Sequence, residues 1–187
     1  MFLILWLNGP FGVGKTETAD NLRRLLPDSF VYDPEDAGAF LVRHIPPAMQ
    51  ALSGGDYQNH PPWRAVNYEM LAYIAGHYRG TLIVPMTITR RDYWEETAGR
   101  LAKQHPLRQV LLTAPREVIL RRLALRGDGA DSWPAKQLDR CLAAFRDWPA
   151  DEILDTGGRD AGEAARRIAQ PGGLFPACTN TLKRGGA

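Results

Sequence analysis

The chain alternates between short apolar runs and longer stretches in which apolar residues return every three or four positions. Runs at residues 2–7, 30–32, 81–86, 109–113 and 152–156 have the length and surroundings of strands. Between them, Ala19, Leu22 and Leu26 recur at helical spacing, as do Val66, Met70, Tyr73 and Ile74. Leu138, Cys141, Leu142 and Phe145 repeat the pattern, followed by Ala161, Ala164, Ala165 and Ile168. These faces are expected to be core stripes, with Cys141 a small buried hydrophobe. Strand and helix succeed one another throughout, which predicts an α/β fold with a five-stranded parallel sheet covered on both faces. Ligands of such sheets lie beyond the carboxyl ends of the strands, so chemistry is to be sought just after each apolar run.

The first run leads directly into Gly9-Pro10-Phe11-Gly12-Val13-Gly14-Lys15-Thr16, which fills every position of G-x-x-x-x-G-K-[ST]. The glycines let backbone N–H groups converge on phosphate oxygens, the lysine reaches the β/γ-phosphates, and the adjacent hydroxyl is placed for Mg²⁺. Gly9, Gly12, Val13, Gly14, Lys15, Thr16 and Glu17 are therefore expected to bind a nucleotide, with Thr16 the metal ligand. Gly157, in the Asp155-Thr156-Gly157-Gly158 turn after the last strand, is a candidate border of the base.

Other candidates follow from position. Asp33 and Glu35 close the second strand, beside the phosphate loop if that strand neighbours the first. There a carboxylate takes a proton from a hydroxyl or holds Mg²⁺ through water; the alternative is a turn and helix start. The third strand, Leu82-Ile83-Val84-Pro85-Met86-Thr87, lacks the acid that ordinarily ends a Walker B strand, a departure that suits a small-molecule kinase better than a mechanical ATPase. Beyond it, Arg90 is either a substrate contact or part of a helix start. Arg122 and Arg126, four apart on a helix running into Gly127-Asp128-Gly129, share a face and could neutralise a transferring phosphoryl group if that segment closes; an exposed basic face is the alternative. The long stretch 36–80, unusual in a compact domain, is the expected acceptor-binding insertion. It holds Arg43, Tyr57, Gln58, Trp63, Arg64, Asn67 and Tyr68: Tyr57, Trp63 and Tyr68 could stack on a ring that Gln58, Asn67 and Arg64 bond, the alternative being that Trp63 and Tyr68 are core of the helix that follows.

Composition narrows the classes. The 187 residues suit one domain, here 1–170, with 116–133 lid-like and a loose tail at 171–187 rich in Gly, Pro and polar residues. Balanced charge, 23 basic against 21 acidic residues for a net +2, gives no sign of a nucleic-acid polymer or of a polybasic membrane patch. The apolar run 2–7 is too short to span a bilayer, so no stable membrane insertion is expected. Two cysteines without ligand spacing indicate neither a disulfide scaffold nor a metal site, which suits a reducing cytoplasm.

Several segments together resemble the ATP-binding tunicamycin-resistance proteins. They are Trp6-Leu7-Asn8-Gly9 with the phosphate loop, Val31-Tyr32-Asp33-Pro34-Glu35, Asp56-Tyr57-Gln58, Pro62-Trp63-Arg64, Asn67-Tyr68, Ile83-Val84-Pro85-Met86-Thr87-Ile88 and the block Ser132-Trp133-Pro134-Ala135-Lys136-Gln137-Leu138-Asp139-Arg140-Cys141. The resemblance implies a three-layer P-loop NTPase fold similar to adenylate, shikimate and gluconate kinases. It also implies ATP and Mg²⁺ as cofactors and tunicamycin, a uridine-containing lipidated nucleoside antibiotic, as the small-molecule partner. It leaves open whether the drug is phosphorylated, with Lys15, Asp33, Arg122 and Arg126 catalytic, or bound and withheld, and whether another nucleotide- or sugar-like molecule is the acceptor.

Overall fold

The computed structural model describes residues 3–170. The expected tail therefore lies outside the described residues. Five parallel strands, β1 (Leu3–Asn8), β2 (Ser29–Val31), β3 (Thr81–Pro85), β4 (Leu107–Thr113) and β5 (Glu152–Asp155), form one sheet in the order β2-β3-β1-β4-β5. The chain runs out from β1 to the β2 edge, returns through β3, and then builds the other side through β4 and β5. The reversal leaves a crevice at the carboxyl end of β1, where the phosphate loop begins.

Every residue of β1 is buried, because helices cover both faces of the sheet. Leu3, Leu5 and Leu7 point to a core shared with Ala19 and Leu22 of α1 (Lys15–Leu25), Ile119 and Leu123 of α7 (Arg116–Leu125), and Ala164 and Ile168 of α9 (Ala161–Ala169). Ile4 and Trp6 point the other way, toward Trp63 and Leu71 of α4 (Pro61–His77), Tyr93 of α5 (Arg91–Glu96), Leu101 of α6 (Ala98–Ala102), and Phe145 of α8 (Trp133–Phe145). The period of two along β1 thus divides the protein into its layers. The insertion holds most of α2 (Pro34–His44), the single turn α3 (Pro47–Gln50), two 3₁₀ turns at Ala51–Ser53 and Tyr57–Asn59, and all of α4. Among the described residues no helix is long and apolar enough to cross a membrane.

Two expectations are corrected. β3 lies between β1 and β2, so the second strand is not the neighbour of the first. On α4, three of the four residues of the predicted core face are turned outward: Val66, Met70 and Tyr73 are 50%, 45% and 66% exposed, and Ile74 packs against the core. The inward face carries Trp63, Arg64, Asn67, Tyr68, Leu71 and Ala75. Its polar members are satisfied internally, Asn67 by the Trp63 carbonyl and the Tyr32 hydroxyl, so burying them costs little. Hydrophobicity alone selects the wrong face wherever polar groups find such partners.

Candidate functional site

Two cavities flank the phosphate loop beyond the carboxyl end of β1, and a third adjoins one of them along α2. The geometry of the loop depends on glycine at two positions above all. Gly14 caps α1 with φ +101°, a left-handed conformation that an L side chain adopts only under strain. At Gly9, φ is +141° and a Cβ would stand 2.4 Å from the Leu112 carbonyl oxygen, so the loop lies against β4 only without a side chain.

Lys15 is the central charge. It is 8% exposed, and its Nζ donates to the carbonyls of Gly9 at 3.1 Å and Pro10 at 3.0 Å. Burial drives its pKa down to about 8, against the partial support of Glu35. Among the described residues it forms no ion pair within 4.0 Å, so a cation is held out of water without a bonded anion. A group costly to bury in this state fits a site completed by phosphate oxygens.

The cavity around Lys15, about 270 Å³, is walled by Phe11, Thr16, Glu35, Tyr57, Arg126 and Trp133. Thr16 lines it where a metal ligand is needed. No cluster of three or more His, Cys, Asp or Glu among the described residues is placed to hold a metal by itself. A cation here would rest on the Thr16 hydroxyl, nucleotide oxygens and water. A hard oxygen set of that kind suits Mg²⁺.

A second cavity, about 360 Å³, runs from Gly12–Gly14 along α1 to Thr156, Arg159, Asp160 and Ala161, a volume suited to a nucleoside. Val13, Glu17 and Arg122 line it; Gly157 turns against Pro115 and leaves the wall to its neighbours. Arg122 donates to the Val13 carbonyl at 3.2 Å, to Oγ1 and the carbonyl of Thr156 at 2.9 and 2.6 Å, and to the Arg159 carbonyl at 3.2 Å. Its guanidinium fastens the phosphate loop to the end of β5 and presents a planar cation to the nucleoside cavity. Arg122 and Arg126 share the face expected of them, both lining the nucleoside cavity; Arg126, paired with Asp128 at 2.8 Å, also reaches the phosphate cavity, while Arg122 is held at the nucleoside end. The lid-like segment also shortens, since α7 is anchored by fully buried Ile119 and Leu123 and only residues 126–132 are irregular.

The third cavity, about 670 Å³ and open to solvent, is lined by Asp33, Glu35, Asp36, Gly38, Arg43 and Tyr57. Asp33 caps α2, its Oδ1 accepting the Glu35 N–H at 2.9 Å. Glu35 reaches both this cavity and that of Lys15. Partial desolvation raises both carboxyls above their ordinary range, with the Asp36 charge adding to the shift of Asp33 and the Asp33 charge to that of Glu35. Tyr57 also spans the two cavities, packed so closely on α2 that a Cβ at Gly38 would fall 2.7 Å from its ring. Arg43 bonds the Ala39 carbonyl of its own helix at 3.1 Å.

The remaining candidates of the insertion point inward. Trp63 is 1% exposed and donates Nε1–H to the Pro34 carbonyl at 3.0 Å, so it is core and not a stacking surface. Gln58 donates to the Thr87 carbonyl at 2.9 Å, and Thr87 donates to Gly9 at 2.8 Å. Arg64 bonds the Gln58 carbonyl and Glu96 over the ring of Tyr93. Asn67 is buried in the bonds described above. These side chains brace the insertion against the phosphate loop and hold Tyr57 in the cleft. Arg90 pairs with Asp92 on the surface, away from all three cavities.

Phe11 and Trp133 were not among the expected site residues. Trp133 belongs to a block that resemblance singles out, but its place at the start of α8 gives no hint that α8 begins over the phosphate loop.

A family model described as an AAA domain matches residues 4–148. Together with the sheet order and the loop, it makes the chain a P-loop NTPase domain that binds nucleotide phosphates. A solved tunicamycin resistance protein from Deinococcus radiodurans is 34% identical over 94% of this chain and 98% of its own, with a TM-score of 0.76. The chain belongs to the tunicamycin-resistance family of P-loop proteins. A gluconokinase from Sinorhizobium meliloti (19% identity, 87% of this chain and 86% of its own, TM-score 0.58) shares the fold. So does an Acinetobacter baumannii shikimate kinase in complex with shikimate (20% identity, 88% and 89%, TM-score 0.58). No curated protein matches the chain significantly.

Proposed function

We propose that this chain is a phosphotransferase that uses Mg·ATP to phosphorylate a hydroxyl of tunicamycin or a related uridine-containing compound, in the cytoplasm. The observation that carries the reading is the arrangement, across one cavity, of the unpaired Lys15 ammonium and the Glu35 carboxylate, which also faces the cavity beyond. Kinship with a tunicamycin resistance protein supports the choice of acceptor.

Mg·ATP, when bound, supplies the phosphoryl group and a divalent charge to offset its oxygens. Lys15 and the loop N–H groups hold the β/γ-phosphates, Thr16 ligates the metal, and Arg122 backs the nucleoside. Arg126 stands between the nucleoside and phosphate cavities, where it neutralises charge on the transferring group. Asp33 and Glu35 receive the acceptor from the open cavity. Glu35, in place of the expected Asp33, faces the transfer cavity and takes the hydroxyl proton, its raised pKa making it a better base than an ordinary carboxylate; Asp33 lines only the open cavity and holds the start of α2 in place.

Mass spectrometry of tunicamycin after incubation with protein, Mg²⁺ and ATP tests the reading, with Lys15→Ala protein as control. One added phosphoryl mass with the wild type alone is the expected result. Unmodified drug that binds only with ATP present would replace transfer by sequestration, and absence of both would point to a different acceptor.

A further inference from the structure

The block 132–141 is one of the segments that carry the family resemblance but has no part in the chemistry described so far. In the structure it forms the start of α8 and a face of that helix turned to the site. Ser132 caps it, its Oγ accepting the Ala135 N–H at 3.4 Å, and Pro134 follows in the first turn, where a fixed φ stiffens the entry. Seven residues after Trp133 and on the same face, Arg140 pairs with Asp56 of the insertion at 3.3 Å. Cys141 is buried on that side as well.

Trp133 is thereby set over the transfer cavity. Its ring stands edge-on to Phe11 of the phosphate loop, with centroids 5.0 Å apart, and Phe11 lies 5.6 Å beneath the Lys15 ammonium. On its other side is the insertion, at Gly55, where φ is +83° and a Cβ would come 3.5 Å from the indole Nε1. Trp133 bridges the loop that holds phosphate and the segment that receives the acceptor. With Phe11 and Tyr57 it gives this cavity an apolar rim around charged Lys15, Glu35 and Arg126.

We propose that Trp133 is a positioning residue that covers the transferable phosphoryl group and keeps water from it. The inference rests on the phosphotransferase reading of the same cavity. With the cover removed, a water oxygen bonds to the γ-phosphorus as the bond to the β–γ bridging oxygen breaks. The electron pair leaves with ADP, and the water proton passes to the Glu35 carboxylate and on to solvent. Excluding water from such a site suppresses this side reaction and strengthens the surrounding electrostatics.

The test compares wild type, Trp133→Phe and Trp133→Ala, each checked for folding by thermal melting. Without acceptor, Trp133→Ala should hydrolyse ATP about tenfold faster than wild type, with KM for ATP changed less than about threefold; Trp133→Phe should stay within about twofold. A variant that is merely damaged loses activity, so a rise separates cover from support. Independently of turnover, a non-hydrolysable ATP analogue should protect tryptophan fluorescence of the wild type from acrylamide, and Trp133→Phe should abolish that protection. The same analogue should leave Trp133→Ala several-fold faster. Unchanged or lower hydrolysis in a folded Trp133→Ala protein, or the same protection in Trp133→Phe, would overturn the proposal. A hydrolytic leak in Trp133→Ala without phosphorylation of tunicamycin by the wild type would leave the cover standing and defeat the acceptor assignment.

Discussion

The two halves of the cleft are built on different principles. The phosphate half uses backbone groups and one buried cation, fixed by contacts to three strands: Gly9 against β4, Asn8 bonded to Ile88 in both directions, and Thr156 accepting Arg122 while donating to Val13. The acceptor half uses carboxylates and one tyrosine on an insertion, half open to solvent and braced from behind by buried polar residues. The first half carries a cost in the absence of ligand, because Lys15 is desolvated without an anion. The second is prepared for exchange. The phosphate half is thus set for its ligand by fixed contacts, whereas the half proposed for the acceptor is supported at a distance and lies partly open to solvent.

The largest effect should come from breaking the phosphate half. Lys15→Met should reduce phosphotransfer by at least about a thousandfold, since the residue acts on the charge that catalysis must stabilise. The same variant should raise the apo melting temperature at pH 7. The Lys15 pKa falls from 10.5 to about 8, so between these values the unfolded chain holds more protons and stability rises with pH. Below pH 8 the buried charge costs roughly 3 kcal/mol, and the advantage of methionine should vanish above pH 10.5 in a series of melts. Failure of the variant to gain stability at pH 7 would mean that the site is not strained.

On the acceptor side, Glu35→Gln should lower the transfer rate about a hundredfold, a span typical of a lost general base. The wild-type rate should fall as pH drops through the raised carboxyl pKa, so the acid limb of the profile should lie above the ordinary value of 4.5. An identical limb in Glu35→Gln protein would move that role to Asp33.

Smaller effects distinguish bracing from contact. Arg64→Ala should destabilise by about 2–4 kcal/mol in denaturant melts, because the Gln58 carbonyl and Glu96 lose a buried partner. Its acceptor KM, measured where the protein is folded, should move little; a large rise would restore Arg64 to the substrate. Gly38→Ala should do the reverse, costing about 1–2 kcal/mol while displacing Tyr57 and raising acceptor KM several-fold with ATP affinity unchanged.

The same division governs how far the sequence can be read. The phosphate loop is legible because its chemistry is local: glycine, lysine and threonine act at fixed spacing, and the strand before and helix after are set by neighbouring residues. Alternation of runs and faces is enough for a parallel sheet, although not for β3 lying between β1 and β2. In the insertion the chemistry is tertiary. Whether Trp63 stacks on a ligand or donates to Pro34 depends on α2, and whether Arg64 meets substrate or Tyr93 depends on α5. The outward turn of Val66, Met70 and Tyr73 has the same origin, because Arg64 and Asn67 occupy the inner face through partners distant in the chain. Arg122 shows the limit on the nucleotide side: helical spacing places it beside Arg126, and both line the nucleoside cavity, but the carbonyls that fix its guanidinium there come from two distant segments.

Calorimetric titration of the Mg²⁺ complex of a non-hydrolysable ATP analogue into Lys15→Met and Glu35→Gln proteins tests this division of labour most directly. Lys15→Met should lose measurable binding, and Glu35→Gln should bind within about threefold of the wild type. Equal retention or equal loss in the two variants would contradict it.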